Sequence, residues 1–156
     1  MKKGSLSARS TIVAIYLLLI PALGFAQDAI TKRQDLMEST NEANKAIRAA
    51  AKQKDYATIE DRAQEIGEYM RMLPELFPKG SLSDESEAHP DIWSKWDEFR
   101  KRQEKMVETA EALRKAAVAK DDAQVAVQVK AMGGMRSGAC GGCHLSFNKK
   151  RMKKTP

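Results

Sequence analysis

Three residues near the C-terminus, Cys140, Cys143 and His144, have the types and spacing needed to hold a cofactor. They form the run Cys-Gly-Gly-Cys-His, in which two cysteine sulfurs can bond to a haem and the histidine imidazole can reach its iron. The chain has 156 residues and 2 cysteines, and both cysteines belong to this run. We therefore expect one haem c, bound covalently through two thioether bonds, with His144 as an iron ligand.

Two other kinds of site use similar residues, and the sequence favours neither. A structural zinc site needs four ligands, whereas the two cysteines and His144 could be joined only by the distant His89. A thioredoxin-like C-x-x-C belongs to a βαβ setting, and this one stands late in a chain with a helical pattern. The run is thus interpreted as a haem attachment site.

The N-terminal segment predicts export. Lys2, Lys3 and Arg9 precede an apolar run over residues 11–20, and small residues follow as far as Ala26. This order is typical of a secretory signal peptide, so we expect residues 1–26 to be removed and the protein to be periplasmic. An uncleaved membrane anchor is the alternative, but the apolar run is short for the roughly 20 residues that a spanning helix needs.

The charge of the mature chain is only mildly basic. Removing the three basic residues of the signal from the 27 in the chain leaves 24 against 21 acidic residues, a net charge of +3. Much of the excess lies in the C-terminal tail, which could steer an acidic partner or simply keep the end soluble. Nucleic-acid binding is not expected, because no basic stripe is interleaved with aromatic residues. Residues 27–156 have the length of one domain.

Apolar residues recur at helical spacing throughout the mature chain, and no alternating strand-like run is present. Three stripes stand out, the last broken by Gln103: Leu36, Ala43, Ile47 and Ala50; Ile59, Ala63, Ile66, Met70 and Leu73; Trp96, Phe99, Met106, Ala110, Leu113 and Ala117. Such stripes are typical of helices that face a shared core. The sequence therefore predicts an all-α protein.

The segments between these stripes predict the connectivity. Asp55 is a candidate N-cap between the first two helices, residues 74–90 form a long loop, and residues 120–122 separate the last two helices. Short, long and short connections predict an antiparallel up-down-up-down four-helix bundle, with the haem on its C-terminal helix. Glycines are concentrated between Gly133 and Gly142, which indicates close approach of the macrocycle, a helix break near Gly133, or both.

The ligand on the other side of the iron is harder to assign from the residues alone. His89 is expected to be a solvated loop residue, and methionine is the other common haem ligand. Most methionines are poorly placed: Met1 in the signal, Met70 and Met106 on core stripes, Met72 off its stripe, Met132 and Met135 on the helix of His144, and Met152 in the tail. Met37 in the first helix remains, with core packing as an equal alternative.

The chain resembles the cytochrome c' family, the class II soluble c-type cytochromes. The resemblance covers nearly all of the mature chain and is carried by four segments: residues 33–34, 73–78, 90–93 and 140–147. It implies a four-helix bundle with the attachment run on the last helix. It also implies that Arg33 and Gln34 lie near a haem propionate, which a guanidinium can pair with, although ordinary surface polarity would also explain them.

By this resemblance, the residue four places after Arg33 faces the distal side of the iron, and here that residue is Met37. Members with an apolar side chain there are high-spin and five-coordinate, whereas members with methionine are low-spin. The chain is therefore similar to the low-spin branch, with His144 and Met37 as axial ligands. It departs from high-spin members at Asn148, where they usually have a basic residue four places after the histidine.

These observations predict an exported one-electron carrier with a six-coordinate haem and transient redox partners. We see no catalytic constellation and expect no enzyme. The main alternative is a five-coordinate haem protein that binds nitric oxide or carbon monoxide, with Met37 in the core. Haem storage, or permanent docking on a larger complex, is a third class. Relatives often pair through their first two helices, so a homodimer is an expectation that the sequence leaves open.

Overall fold

Helices form the regular structure of the residues described by the computed structural model, which are 20–133 and 138–152, with side chains from residue 26 onward. The α-helices are α1 Ile20–Gln53, α2 Tyr56–Met72, α3 Asp91–Ser94, α4 Trp96–Val118, α5 Asp122–Gly133, α6 Ala139–Phe147 and α7 Lys149–Met152, and a 3-10 helix covers Leu73–Leu76. The described ranges contain no strand, apart from one isolated bridge between Ala88 and Asn148. The all-α prediction is therefore confirmed.

The predicted signal peptide falls mostly outside the described residues, which begin at Ile20. Helix α1 starts at Ile20, so cleavage after Ala26 would leave the helix to begin close to the new N-terminus. The boundary at residue 26 stays a prediction. Among the described residues, no helix is both long enough and apolar enough to cross a membrane.

The turn between α1 and α2 follows from two neighbouring residues. Lys54 adopts a left-handed conformation with φ of 55°, which stops α1. Asp55 then caps α2, because its Oδ1 accepts a hydrogen bond of 3.1 Å from the backbone N–H of Thr58. The N-cap predicted from the sequence is confirmed.

The connection between α4 and α5 lies at the same end of the bundle as that turn. Asp121 caps α5 by accepting a hydrogen bond of 3.0 Å from the backbone N–H of Gln124. The Tyr56 hydroxyl donates to Asp122 over 2.6 Å, and Lys54 forms an ion pair with the same carboxylate. Because both turns meet at this end, α1 and α2 lie alongside α4 and α5 as an antiparallel set.

The predicted stripes form most of the core, and residues of α5 and α6 add to it. Its most fully buried side chains include Ile47 on α1, Ile59 and Ile66 on α2, Leu113 on α4 and Met132 on α5. Gln103, the polar interruption in the third stripe, is also buried, and its Nε2 donates a hydrogen bond of 2.7 Å to the Met70 carbonyl. The amide nitrogen thus joins α4 to α2 within the core, whereas the buried Gln103 Oε1 has no hydrogen-bond partner among the described residues.

Replacing Leu113 with alanine should lower the free energy of unfolding by about 2–5 kcal/mol. The Leu113 side chain has no exposed surface, so its removal leaves a cavity between packed helices. The control is Val118→Ala on the same helix, because Val118 is 56% exposed and should change stability by about 0.5 kcal/mol or less. Denaturant unfolding followed by circular dichroism measures both, and equal losses would contradict this assignment of the core.

The third and the fourth predicted helical segments are each divided into two helices. The third helix starts at Asp91 as the short α3, but Lys95 has φ of −118° and ψ of 41°, so the long helix α4 begins only at Trp96. The C-terminal segment is divided, because α5 ends at Gly133 and α6 begins at Ala139. The break predicted near Gly133 is confirmed, while residues 134–137 lie outside the described part of the chain.

Candidate haem-binding site

Helix α6 carries the attachment run on one turn and a half of helix. Gly138 precedes the helix in an extended conformation, and its carbonyl accepts a hydrogen bond of 2.9 Å from the Gly142 backbone N–H. Residues three and four apart share a helix face, so Cys140, Cys143 and His144 point to the same side. The two cysteines are half-buried and are not joined to each other by a disulfide.

Two cavities lie against this face of α6, with volumes of about 350 Å³ and 460 Å³. The first cavity extends toward Cys140, and the second extends toward Phe147. Five residues line both of them: Met37, Asn41, Leu73, Cys143 and His144. The space beside α6 is therefore bounded by α1 and by the end of α2, as a cofactor between these helices would require.

Burial controls the protonation of the three residues of the run. It raises the pKa of the Cys140 thiol and raises that of Cys143 to about 11, against the opposing charges of Arg48 and Arg102, respectively. Burial also lowers the pKa of His144. The imidazole of His144 is thereby favoured in the neutral form, which is the form that has a lone pair for a metal.

Cys140 has close neighbours on other helices that residue spacing along the chain does not indicate. The Asn44 side-chain amide donates to its sulfur over 3.8 Å, and the Met106 sulfur lies 3.8 Å from it. On the other side of the run, Arg102 donates a hydrogen bond of 3.0 Å to the Gly142 carbonyl. A methyl group at Gly142 would lie 3.3 Å from this guanidinium, so glycine permits the close approach of α4 and α6.

The structure separates the methionines by their position relative to His144. Met70 and Met106 are buried in the core, as predicted, and they also line the first cavity. Met132 is fully buried, and Met72 is 47% exposed. Met37 is half-buried against the core and lines both cavities together with His144. The structure thus brings Met37 and His144 to the same space from different helices, and iron ligation by Met37 stays a prediction.

Arg33 and Gln34 both line the second cavity, as the resemblance implies for residues near the cofactor. Arg33 is 5% exposed, and its Nη2 donates a hydrogen bond to the Ser81 carbonyl. Its guanidinium also lies 4.5 Å from the centre of the Phe77 ring, and burial lowers its pKa. The long loop therefore holds Arg33 in place, and its contact with a propionate stays a prediction.

The long loop also crosses the C-terminal end of α6. The backbone N–H of His89 donates to the Phe147 carbonyl over 2.8 Å, and that of Lys149 donates to the Glu87 carbonyl over 2.8 Å. These two bonds form the bridge between Ala88 and Asn148. We call residues 86–89 and 147–150 the loop clamp, because they fasten the loop one turn beyond His144.

Asn148 organises the loop clamp. Its backbone is extended, which ends α6, and its Oδ1 accepts hydrogen bonds from the backbone N–H groups of Lys150 and Arg151. Its side-chain amide donates to Glu87 over 3.1 Å. Asn148, which stands where high-spin members usually have a basic residue, therefore caps the short helix α7 and binds the loop.

His89 corrects an expectation of the sequence analysis. It was predicted to be a solvated loop residue, but it is half-buried, and its Nδ1 accepts a hydrogen bond of 3.2 Å from the Asp91 backbone N–H. Two contacts explain the difference: the backbone of His89 is bonded to the Phe147 carbonyl at the end of α6, and its ring accepts from the free backbone N–H of Asp91 in the first turn of α3.

The donor set matches a covalently held haem. Two thiols at the C-x-x-C spacing, a neutral imidazole and a thioether surround the cavities, and imidazole and thioether are common axial ligands of haem iron. A helical bundle with this run beside an internal cavity defines a c-type cytochrome scaffold.

Comparison with known proteins agrees with this class. The sequence model described as Cytochrome C' matches residues 28–148. A cytochrome c' from Pararhodospirillum photometricum is 34% identical over 118 residues, which is 74% of this chain and 91% of that protein. A cytochrome c-556 from Agrobacterium fabrum is 28% identical over 130 residues, which is 81% of this chain and 85% of that protein.

Solved structures share the fold. Cytochrome c prime from Shewanella frigidimarina superposes with a TM-score of 0.70 at 26% identity, covering 80% of this chain and 96% of that one. A nitric oxide complex of a variant of cytochrome c prime from Alcaligenes xylosoxidans gives a TM-score of 0.70 at 21% identity, with 80% and 95% covered. The chain belongs to the cytochrome c' family of c-type cytochromes, which supports the haem interpretation of the run over zinc or a redox disulfide.

Proposed function

We propose that this protein is an exported one-electron carrier with a single six-coordinate haem c. Cys140 and Cys143 would attach the group through two thioethers, and His144 and Met37 would bind the two axial positions of its iron. The observation that carries the proposal is that Met37 on α1 and His144 on α6 line the same two cavities. A bound haem would supply a couple between ferric and ferrous iron.

The residues around the cavities suit electron transfer better than catalysis. The half-buried imidazole of His144 is favoured in its neutral form, and a thioether partner such as Met37 favours the reduced iron and raises the reduction potential. Both side chains belong to helices packed in the bundle, so a change of iron charge requires little movement. With both axial positions bound, a substrate would find no open position, and we infer that the protein is not an enzyme.

The proposed function also implies a setting for the haem propionates, a cellular compartment and a set of binding partners. Arg33, already buried at the wall of the second cavity, would pair with a propionate, and the neighbouring Gln34 would lie beside it. The basic and apolar order of residues 1–26 supports export to the periplasm. Redox proteins would dock transiently on this protein. It would bind no nucleic acid, and it would not be inserted stably in a membrane after signal cleavage. Its resemblance to the family supports pairing into a homodimer.

Absorption spectra of the purified exported protein, taken before and after exposure to carbon monoxide, test this function. The reduced protein should give sharp, split low-spin bands that carbon monoxide leaves unchanged, because Met37 fills the distal position. It should also exchange electrons rapidly with small inorganic oxidants and reductants. A broad, unsplit reduced band with rapid uptake of carbon monoxide would overturn the electron-carrier proposal.

A second function has its own support. A relative with the same fold was solved as a nitric oxide complex, and the half-buried Met37 side chain packs against the core. If Met37 is only a core residue, the iron would be five-coordinate and its distal side could bind nitric oxide or carbon monoxide. The spectra described above separate the two functions, because only an open distal position takes up the gas.

A further inference from the structure

We propose that Arg151 and Glu87 tune the reduction potential of the haem in opposite directions through their positions beside His144. This inference rests on the proposed role of His144 as an axial ligand. Arg151 would raise the potential and Glu87 would lower it. Neither residue would touch the iron, so both act through the charge that they place near its histidine ligand.

Arg151 reaches the site from the C-terminal helix α7. It lies seven residues after His144, yet it lines the first cavity together with His144 and Leu145. The chain thus brings a cation to the wall of the haem cavity, although Asn148 stands where high-spin relatives usually have a basic residue.

Glu87 reaches the site from the long loop. It lines the second cavity together with His144 and Phe147. The hydrogen bond from Lys150 is the main cause of the lowered pKa of Glu87, so the carboxylate is ionised at neutral pH.

The loop clamp determines where both charges lie. Asn148 binds the Glu87 carboxylate with its side-chain amide and caps the backbone N–H of Arg151 with its side-chain oxygen. Lys149 adds a hydrogen bond of 3.0 Å from its Nζ to the Ser86 carbonyl, and Lys150 pairs with Glu87. One asparagine therefore holds the Glu87 carboxylate and the backbone from which the Arg151 side chain extends.

The sign of each effect follows from the charge of the iron. When ferric iron gains one electron it loses one unit of positive charge, so a nearby cation favours the reduced state and a nearby anion favours the oxidised state. Both residues are exposed, so salt screens their effects, but both line a cavity that His144 also lines, unlike charges elsewhere on the surface.

The test is a redox titration of the full holo-protein, followed by its absorption spectrum at low ionic strength. Arg151→Gln should shift the potential downward, and Glu87→Gln should shift it upward. Arg151→Lys and Glu87→Asp keep the charges and should remain near the wild-type potential. Matched controls are Lys52→Gln and Asp61→Asn, which make the same charge changes at exposed positions near the α1–α2 turn, away from the loop clamp.

The proposal requires shifts of opposite sign at Arg151 and Glu87, each larger than that of its control, with unchanged spectral bands. Shifts of the same sign, or shifts no larger than those of Lys52→Gln and Asp61→Asn, would overturn it. A shift in Glu87→Asp as large as that in Glu87→Gln would overturn the role of the charge and assign Glu87 a purely structural role in the loop clamp. A wild-type spectrum that changes with carbon monoxide would instead refute the electron-carrier function, independently of these shifts.

Discussion

Replacing Met37 with alanine should convert a low-spin, gas-resistant haem protein into a high-spin protein that binds carbon monoxide stoichiometrically. The reason is that alanine has no donor atom, so the distal position of the iron becomes free beside the cavities that Met37 now lines. Loss of the thioether should also lower the reduction potential. Absorption spectra of both oxidation states, with and without carbon monoxide, measure the change.

The chain offers matched controls for this experiment. Met70 and Met106 line the first cavity as well, but both are buried in the core. Met70→Leu and Met106→Leu nearly conserve volume, so they should reduce stability by less than about 1.5 kcal/mol and leave the low-spin spectrum intact. If Met37→Ala keeps the wild-type spectrum, or if a control variant loses it, Met37 is not the distal ligand.

Replacing Cys140 and Cys143 together with alanine should abolish retention of haem under denaturing conditions. Thioether bonds survive unfolding, whereas the bond from His144 to iron does not, so only the covalent links keep the group on an unfolded chain. Each single variant should keep haem through its remaining sulfur. Intact mass measured in denaturing solvent reports the loss directly.

Ser146→Ala is the control for the cysteine variants, because Ser146 lies on the same helix α6 and carries no proposed bond. It should keep the mass of one added haem. Haem retained by the double cysteine variant after denaturation would contradict attachment at the C-x-x-C-H run. An unmodified wild-type chain, purified from cells that mature c-type cytochromes, would contradict it too.

The helices were predictable because their apolar residues repeat at the helical period. The stripes of α2 and α4 become buried surfaces, with Ile59, Ile66 and Leu113 among the most enclosed side chains. The cap at Asp55 was predictable for the same kind of reason, since a short acidic side chain before a periodic segment is a local signal. Local pattern therefore determined most of the bundle.

The attachment run was predictable from spacing alone, but most of its surroundings were not. Asn44 and Arg102 reach α6 from α1 and α4, and no spacing along the chain indicates that these helices meet at Cys140 and Gly142. A polar residue such as Asn44 between the apolar Ala43 and Ile47 was the available signal. Its burial becomes meaningful only once its neighbour across the bundle is known.

The loop clamp shows the limit of local reasoning most clearly. Residues 86–89 and 147–150 are about 60 positions apart, and their contact depends on backbone hydrogen bonds that any sequence could make. His89 was misjudged for this reason, because its half-buried position follows from the bond between its N–H and the Phe147 carbonyl. Asn148, noted at first only as a departure from relatives, became interpretable through the same contact.

The near-infrared spectrum of the oxidised wild-type protein is the most direct test of ligation by Met37, because it reports whether a sulfur atom is bound to ferric iron. With His144 and Met37 as the two axial ligands, we expect a weak sulfur-to-iron charge-transfer band that disappears in Met37→Ala. A haem-loaded wild-type protein without this band would show that Met37 does not bind the iron.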